Sequence, residues 1–163
     1  MQNIILLVLI VFSQSSLCQL IFEYNDYIKQ DSIQIKDSAQ IDSLFGYTLA
    51  ASENLLVIAA PRESSGGEKG GAVYYLFGNN QNGLKQHALN RRITQNSAGV
   101  AGDTEDGDFF GGALAIGYFA IKPMGLCQGI DCNGWRDVIV GVPGEDVSGV
   151  ADTGMVNILS GGN

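Results

Sequence analysis

The sequence predicts an all-β fold assembled from small antiparallel sheets. Gly, Asn, Asp and Ser interrupt the chain every eight to twelve residues or so, the spacing of short strands and turns, and no long apolar pattern of helical period with a cap occurs between them. A second observation is an ordered internal repeat: "LLVIAAPRES" (Leu55 to Ser64) is echoed by "DVIVGVPGED" (Asp137 to Asp146). Each is an apolar run ending in small-x-Pro, followed by polar residues.

Taken from the start, Met1 to Cys18 carries no charged side chain and holds the apolar run Ile4 to Phe12. That run suits the core of a signal peptide and is too short to span a bilayer. Ser16 and Cys18 provide the small residues of a cleavage site before Gln19. The expected organisation is a signal peptide over residues 1–18 and a secreted repeat region over 19–163. "IFEYNDYI" (Ile21 to Ile28) and "SIQIKD" (Ser32 to Asp37) are weak strand candidates. Stronger ones follow at Phe45 to Ser52, Leu55 to Ala60 and Ala72 to Phe77. "RRIT" (Arg91 to Thr94) is another weak candidate. Ala113 to Phe119, Asp137 to Val142 and Met155 to Leu159 complete the set.

These strands fall into two matching units. The first, about residues 44–95, and the second, about 109–163, share Phe-Gly, an alternating strand and an apolar strand closing on Pro61 or Pro143. A Gly-rich polar loop and a third strand entered through Gly follow in both. Proline cannot donate to a ladder and so marks the strand ends. Runs such as "LLVIAA" suit a strand covered on both faces. The lead-ins match loosely as "IQIKDSAQIDSLFG" against "RITQNSAGVAGDTEDGDFFG". The second unit lacks a fourth strand.

Composition limits function. The 163 residues carry a net charge of −8, which argues against nucleic acid or anionic membrane as a partner. No other apolar stretch is long enough to enter a membrane directly. Of three cysteines, Cys18 leaves with the signal peptide. Cys127 and Cys132, in "CQGIDC", then read as a disulfide closing a small loop in an oxidising compartment. His87 is the single histidine and has no nucleophile motif around it. No phosphate-loop order accompanies the Gly-rich turns. Nothing here points to an enzyme.

The order Phe-Gly, then small-x-Pro, carried by "FGYTLAASENLLVIAAP" and "FGGALAIG…DVIVGVP", resembles the FG-GAP repeat of the integrin α-chain β-propeller. The resemblance covers about Ser32 to the C-terminus. It implies about two blades of an incomplete propeller, since rings of four to eight blades are usual, with completion by further blades. It implies an extracellular recognition or adhesion module binding a protein ligand or a partner subunit. The implied face is "RESSGGEKGG" (Arg62 to Gly71), "NSAGVAGDTEDGD" (Asn96 to Asp108) and "GEDVSGVADTG" (Gly144 to Gly154). An alternative is an accessory propeller of a secreted hydrolase, such as a glycolipid-anchor phospholipase, whose catalytic domain lies outside this chain.

The resemblance also implies a calcium loop. "GIDCNGWRD" places Asp131, Asn133 and Asp137 at ligand positions of the family's pattern, with Gly129 where the first carboxylate is expected. Calcium wants about six to eight oxygens, so the loop is a weakened cage. "ASENLL" in the first unit is too short for one. "GDTEDGD" (Gly102 to Asp108) does not follow the calcium spacing and is expected to be a solvated acidic loop.

Overall fold

A computed structural model describes residues 27–32, 37–78, 84, 89–118 and 136–161. These residues form seven strands and no helix. Strands β1 (Leu49–Ser52), β2 (Leu55–Ala60), β3 (Ala72–Phe77) and β4 (Arg91–Ile93) make sheet I in that order. Strands β5 (Ala113–Gly117), β6 (Asp137–Val142) and β7 (Met155–Leu159) make sheet II. Every pairing is antiparallel.

Both sheets are meanders of neighbouring strands, built from runs rich in β-branched and aromatic residues. Ser52 pairs with Leu55, leaving Glu53 and Asn54 as a two-residue turn, with Glu53 at φ 49°. Such a turn brings β1 and β2 together without a loop.

The first strand of the first unit begins later than its sequence suggests, whereas β5 begins at Ala113 as expected. Phe45 to Thr48 is a turn, and β1 starts at Leu49. Leu44 (φ 57°) and Gly46 (φ 89°) flank Phe45 in left-handed backbone, which ends an extended run. Tyr47 N–H donates to Leu44 O at 3.0 Å and Gly46 N–H to Ala59 O at 2.9 Å. The second unit repeats this turn. Phe109 (φ 58°) and Gly111 (φ 99°) flank Phe110, Gly112 N–H donates to Phe109 O at 2.8 Å and Gly111 N–H to Gly141 O at 3.1 Å. Strand β5 ends at Gly117, while Phe119 lies outside the described residues. Ser32 and Asp37 are bends and the stretch between them is not described.

The core lies between the sheets. Val57, Ala59, Val73, Tyr75 and Phe77 of sheet I meet Val138, Val140 and Val142 of sheet II, with Phe110 buried among them. Gly111 is needed there. A Cβ at that position would sit 2.7 Å from Ala59 Cβ and 3.1 Å from Val73 Cγ1, so only hydrogen allows the turn this close. Thr48 Oγ1 donates to Gly111 O at 2.7 Å and ties the first unit to the second.

Sheet I is also covered on its other face. Ile58, Ala60, Ala72, Tyr74 and Leu76 form a second cluster with Ile28, Phe45, Leu56 and Leu84. Phe45 meets Tyr74 edge-on at 5.4 Å. Strand β2 therefore has the two-sided burial its apolar run predicts. Strand β6 does not, because its second face carries partly exposed Ile139 and Gly141.

Candidate functional site

Three loops gather at one end of the sheets: residues 62–71 between β2 and β3, 96–108 between the units, and 144–154 between β6 and β7. Backbone bonds fix them. Phe110 N–H donates to Gly70 O at 2.7 Å, Gly107 N–H to Lys69 O at 3.4 Å and Gly144 N–H to Asp108 O at 3.0 Å. Lys69 N–H also donates to Asp106 Oδ1 at 2.5 Å. Glu68, Asp103, Glu105, Asp106 and Asp146 are exposed there, with Arg62 and Lys69 the nearby cations in these loops. The Glu105 carboxyl is held above its ordinary range, by partial desolvation first and then by Asp146, Glu145, Asp103 and Glu68. The end surface is anionic.

Beneath it lie two buried carboxylates that sequence reading missed. Glu63 is fully buried and Glu145 nearly so. Both follow the small-x-Pro element, and both accept the N–H that ends their loop: Gly71 N–H to Glu63 O and Gly154 N–H to Glu145 O, each at 3.0 Å. Each faces a buried glutamine, through Gln30 Nε2 to Glu63 Oε2 at 2.7 Å and Gln95 Nε2 to Glu145 Oε2. The matching signal was legible as "IKQDS" (Ile28 to Ser32) and "ITQNS" (Ile93 to Ser97). Ser32 N–H to Lys29 O and Ser97 N–H to Thr94 O make the same turn. This corrects the lead-in alignment: Lys29–Ser32, not the stretch after Ser32, stands opposite Thr94–Ser97.

The surroundings differ. Glu63 is closed by Arg92 Nε and the Tyr74 hydroxyl, and Arg92 also lies 3.3 Å from Asp37. Burial, then the hydrogen bond to Glu63, pushes the Tyr74 phenol far up. In the second unit Asn157 occupies the place of Tyr74. Among the described residues its Nδ2, Gln95 Oε1 and Thr104 Oγ1 are buried without a hydrogen-bond partner.

"GDTEDGD" is only partly a solvated loop. Asp108 is 1 % exposed and Thr104 is buried, because Asp108 turns inward to accept from Glu105 N–H at 2.6 Å. Burial first, then Glu145, Glu105 and Asp146, pushes its carboxyl up to about 6 against the Glu105 N–H bond that lowers it.

Of the residues expected to hold calcium, Asp137 is described. It is buried at the start of β6, where Oδ1 accepts from Gly161 N–H at 3.0 Å. Asp131, Asn133, Cys127 and Cys132 lie outside the described residues. Among the described residues no three His, Cys, Asp or Glu side chains converge as a metal site. The foot of that loop is fixed by Arg136, which pairs with Glu53 of the β1–β2 turn and stacks 4.6 Å over Tyr118.

Comparison with protein-family models, characterised proteins and solved structures gives no match. Function therefore rests on the geometry of this chain. Among the described residues no helix is long and apolar enough to cross a membrane.

Proposed function

We propose that the chain is an extracellular recognition module, resembling the ligand-binding head of an integrin α chain, whose loop end binds a protein ligand or partner subunit presenting basic residues. One observation carries the proposal: the three loops that the resemblance assigns to ligand binding are hydrogen-bonded to one another and expose a cluster of carboxylates. A charged rim of this kind steers an oppositely charged partner and sets its salt dependence.

The test is binding of the secreted chain to an array of extracellular proteins, before and after Glu105→Lys with Asp146→Lys. Both side chains are exposed, so the fold should tolerate the change. The expected result is a ligand whose affinity falls on the order of tenfold and whose salt dependence flattens. The control is Glu53→Lys in the β1–β2 turn, outside the three loops, and it should leave binding intact. No ligand on the array, or equal loss from both variants, would reject the loop end as the recognition face.

A further inference from the structure

We infer that copies of this chain assemble head to tail, with the Phe45–Gly46 turn of one copy seated in a groove on the open face of sheet II of the next. The chain contains the template for this contact. Phe110–Gly111 seats on sheet I against Ala59 and Val73, with Phe110 N–H on Gly70 O and Gly111 O on the Thr48 hydroxyl.

The backbone match between units carries that socket onto sheet II. Gly46 and Gly111 bond Ala59 and Gly141, and Gly71 and Gly154 bond Glu63 and Glu145. In this register Thr48, Ala59, Pro61, Gly71 and Val73 become Ala113, Gly141, Pro143, Gly154 and Val156. All five line one groove of about 610 Å³. Around it Val156 is 62 % and Ile158 56 % exposed, although their equivalents Val73 and Tyr75 are buried under sheet II.

The plug is open at its tip, although Phe45 itself packs on the covered outer face of sheet I. Among the described residues no atom lies within 4 Å of a Cβ built on Gly46, in contrast to the crowding at Gly111. Leu49 is 61 % exposed, whereas its equivalent Leu114 packs into the core between the sheets. Plug and socket lie on opposite faces of the two-sheet stack, so one molecule cannot satisfy both with itself. The segment before the plug fits as well. Tyr27 and Ile28 stand where Arg92 and Ile93 pair with Tyr74 and Val73, so in a neighbouring copy they would run along β7 at Asn157 and Val156.

Such a contact uses two different surfaces and closes only as a ring. With two sheets among the described residues of each copy, three or four copies give six or eight sheets, within the range of closed radial assemblies of about four to eight. This inference rests on the repeat geometry and does not depend on any ligand at the loop end.

The experiment is light scattering after size exclusion of the chain produced through a secretory pathway, at tens of micromolar. The wild type should elute at three or four times the chain mass. Val156→Arg blocks the socket and Leu49→Arg blocks the plug. Each alone should be monomeric with an unchanged circular dichroism spectrum. Mixed, they should form a 1:1 dimer, because each variant keeps one working half. Ile158→Lys serves in place of Val156→Arg if that variant does not fold. A monomeric wild type, assembly that survives either block, or a mixture that stays monomeric would each overturn the inference.

Discussion

Glu63 and Glu145 occupy the same place in successive sheets, at the start of the loop that follows small-x-Pro, each opposite a buried glutamine. Around Glu63 the chain supplies a guanidinium from β4, a phenol from β3 and the amide of Gln30. Around Glu145 it supplies Gln95 and a set of carboxylates, Asp108 among them. The backbone repeat therefore fixes where a carboxylate is buried, whereas the neighbouring strand decides whether that burial is compensated. A buried charge is tolerable only with partners, and in sheet I those partners come chiefly from β3 and β4.

The largest expected effect separates the two carboxylates directly. Glu63→Ala removes the buried acceptor shared by Arg92, Tyr74 and Gln30, leaving Asp37 as the carboxylate of Arg92 and Tyr74, and loss of one member of a buried ion pair costs about 3 kcal/mol or more. Glu145→Ala removes one amide hydrogen bond, worth about 1 kcal/mol, while relieving repulsion on Asp108. Urea unfolding of both variants, compared at equal slope, should rank them in that order. Equal destabilisation would mean that the two sites are alike in energy, whatever their partners.

A second pair compares the two Phe-Gly turns. Gly46→Ala and Gly111→Ala both place a side chain at positive φ, a strain of roughly 1–2 kcal/mol. Only Gly111 adds collision with Ala59 and Val73, and overpacking of this kind costs typically about 1–3 kcal/mol more. Measured in the monomeric Val156→Arg background, Gly111→Ala should therefore be the more damaging by that difference. If Gly46→Ala proved as harmful, its turn would be as tightly covered as the other.

Much of this architecture was legible in the sequence, and the illegible part has a common cause. Strands β2, β3, β6 and β7 lie where their apolar runs predicted, because burial and strand propensity agree there. The start of β1 was misread since "LFGYT" alternates like a strand, and only the positive φ of Leu44 and Gly46 shows that it turns. Asp108 reads as part of a solvated loop, and nothing in the sequence marks Gln30, Glu63, Gln95 or Glu145 as buried. Polar side chains are usually exposed, and their burial comes from contacts between segments distant in the chain. The loop face itself was indicated only by resemblance, not by any residue pattern that names its ligand.

Asp108 sharpens the contrast with its counterpart Ser43, which is neutral and donates to Gln30 Oε1 at 3.0 Å. Burial raises the Asp108 carboxyl to about 6, above an unfolded value of about 3.9. The folded state thus holds this proton more tightly than the unfolded one. Its contribution is fully favourable below about pH 4 and is lost as pH rises through 6. Asp108→Asn keeps an acceptor for Glu105 N–H and cannot ionise. It should be more stable than wild type by about 1–2 kcal/mol at pH 7.5, with the advantage gone near pH 4. Thermal melts across that range decide it, and a difference that does not change with pH would remove the ionised carboxylate as its cause.

The smallest effect concerns calcium, and it compares the long β5–β6 connection with the tight β1–β2 turn. The resemblance puts Asp131, Asn133 and Asp137 around an ion, with Gly129 in place of the leading carboxylate. Asp137 Oδ1 already accepts from Gly161 N–H at the start of β6. So poor a donor set belongs in the weak extracellular range, ~0.1–1 mM. At a concentration equal to the dissociation constant, binding would stabilise the fold by RT ln 2, about 0.4 kcal/mol. Calorimetric titration of wild type, Asp131→Ala and Asn133→Ala is the appropriate test, because Asp137→Ala would also disturb the start of β6. Millimolar binding in wild type, lost in both variants, is expected. An absence of heat at millimolar calcium would leave the connection without a metal, and micromolar affinity would require a carboxylate beyond these three.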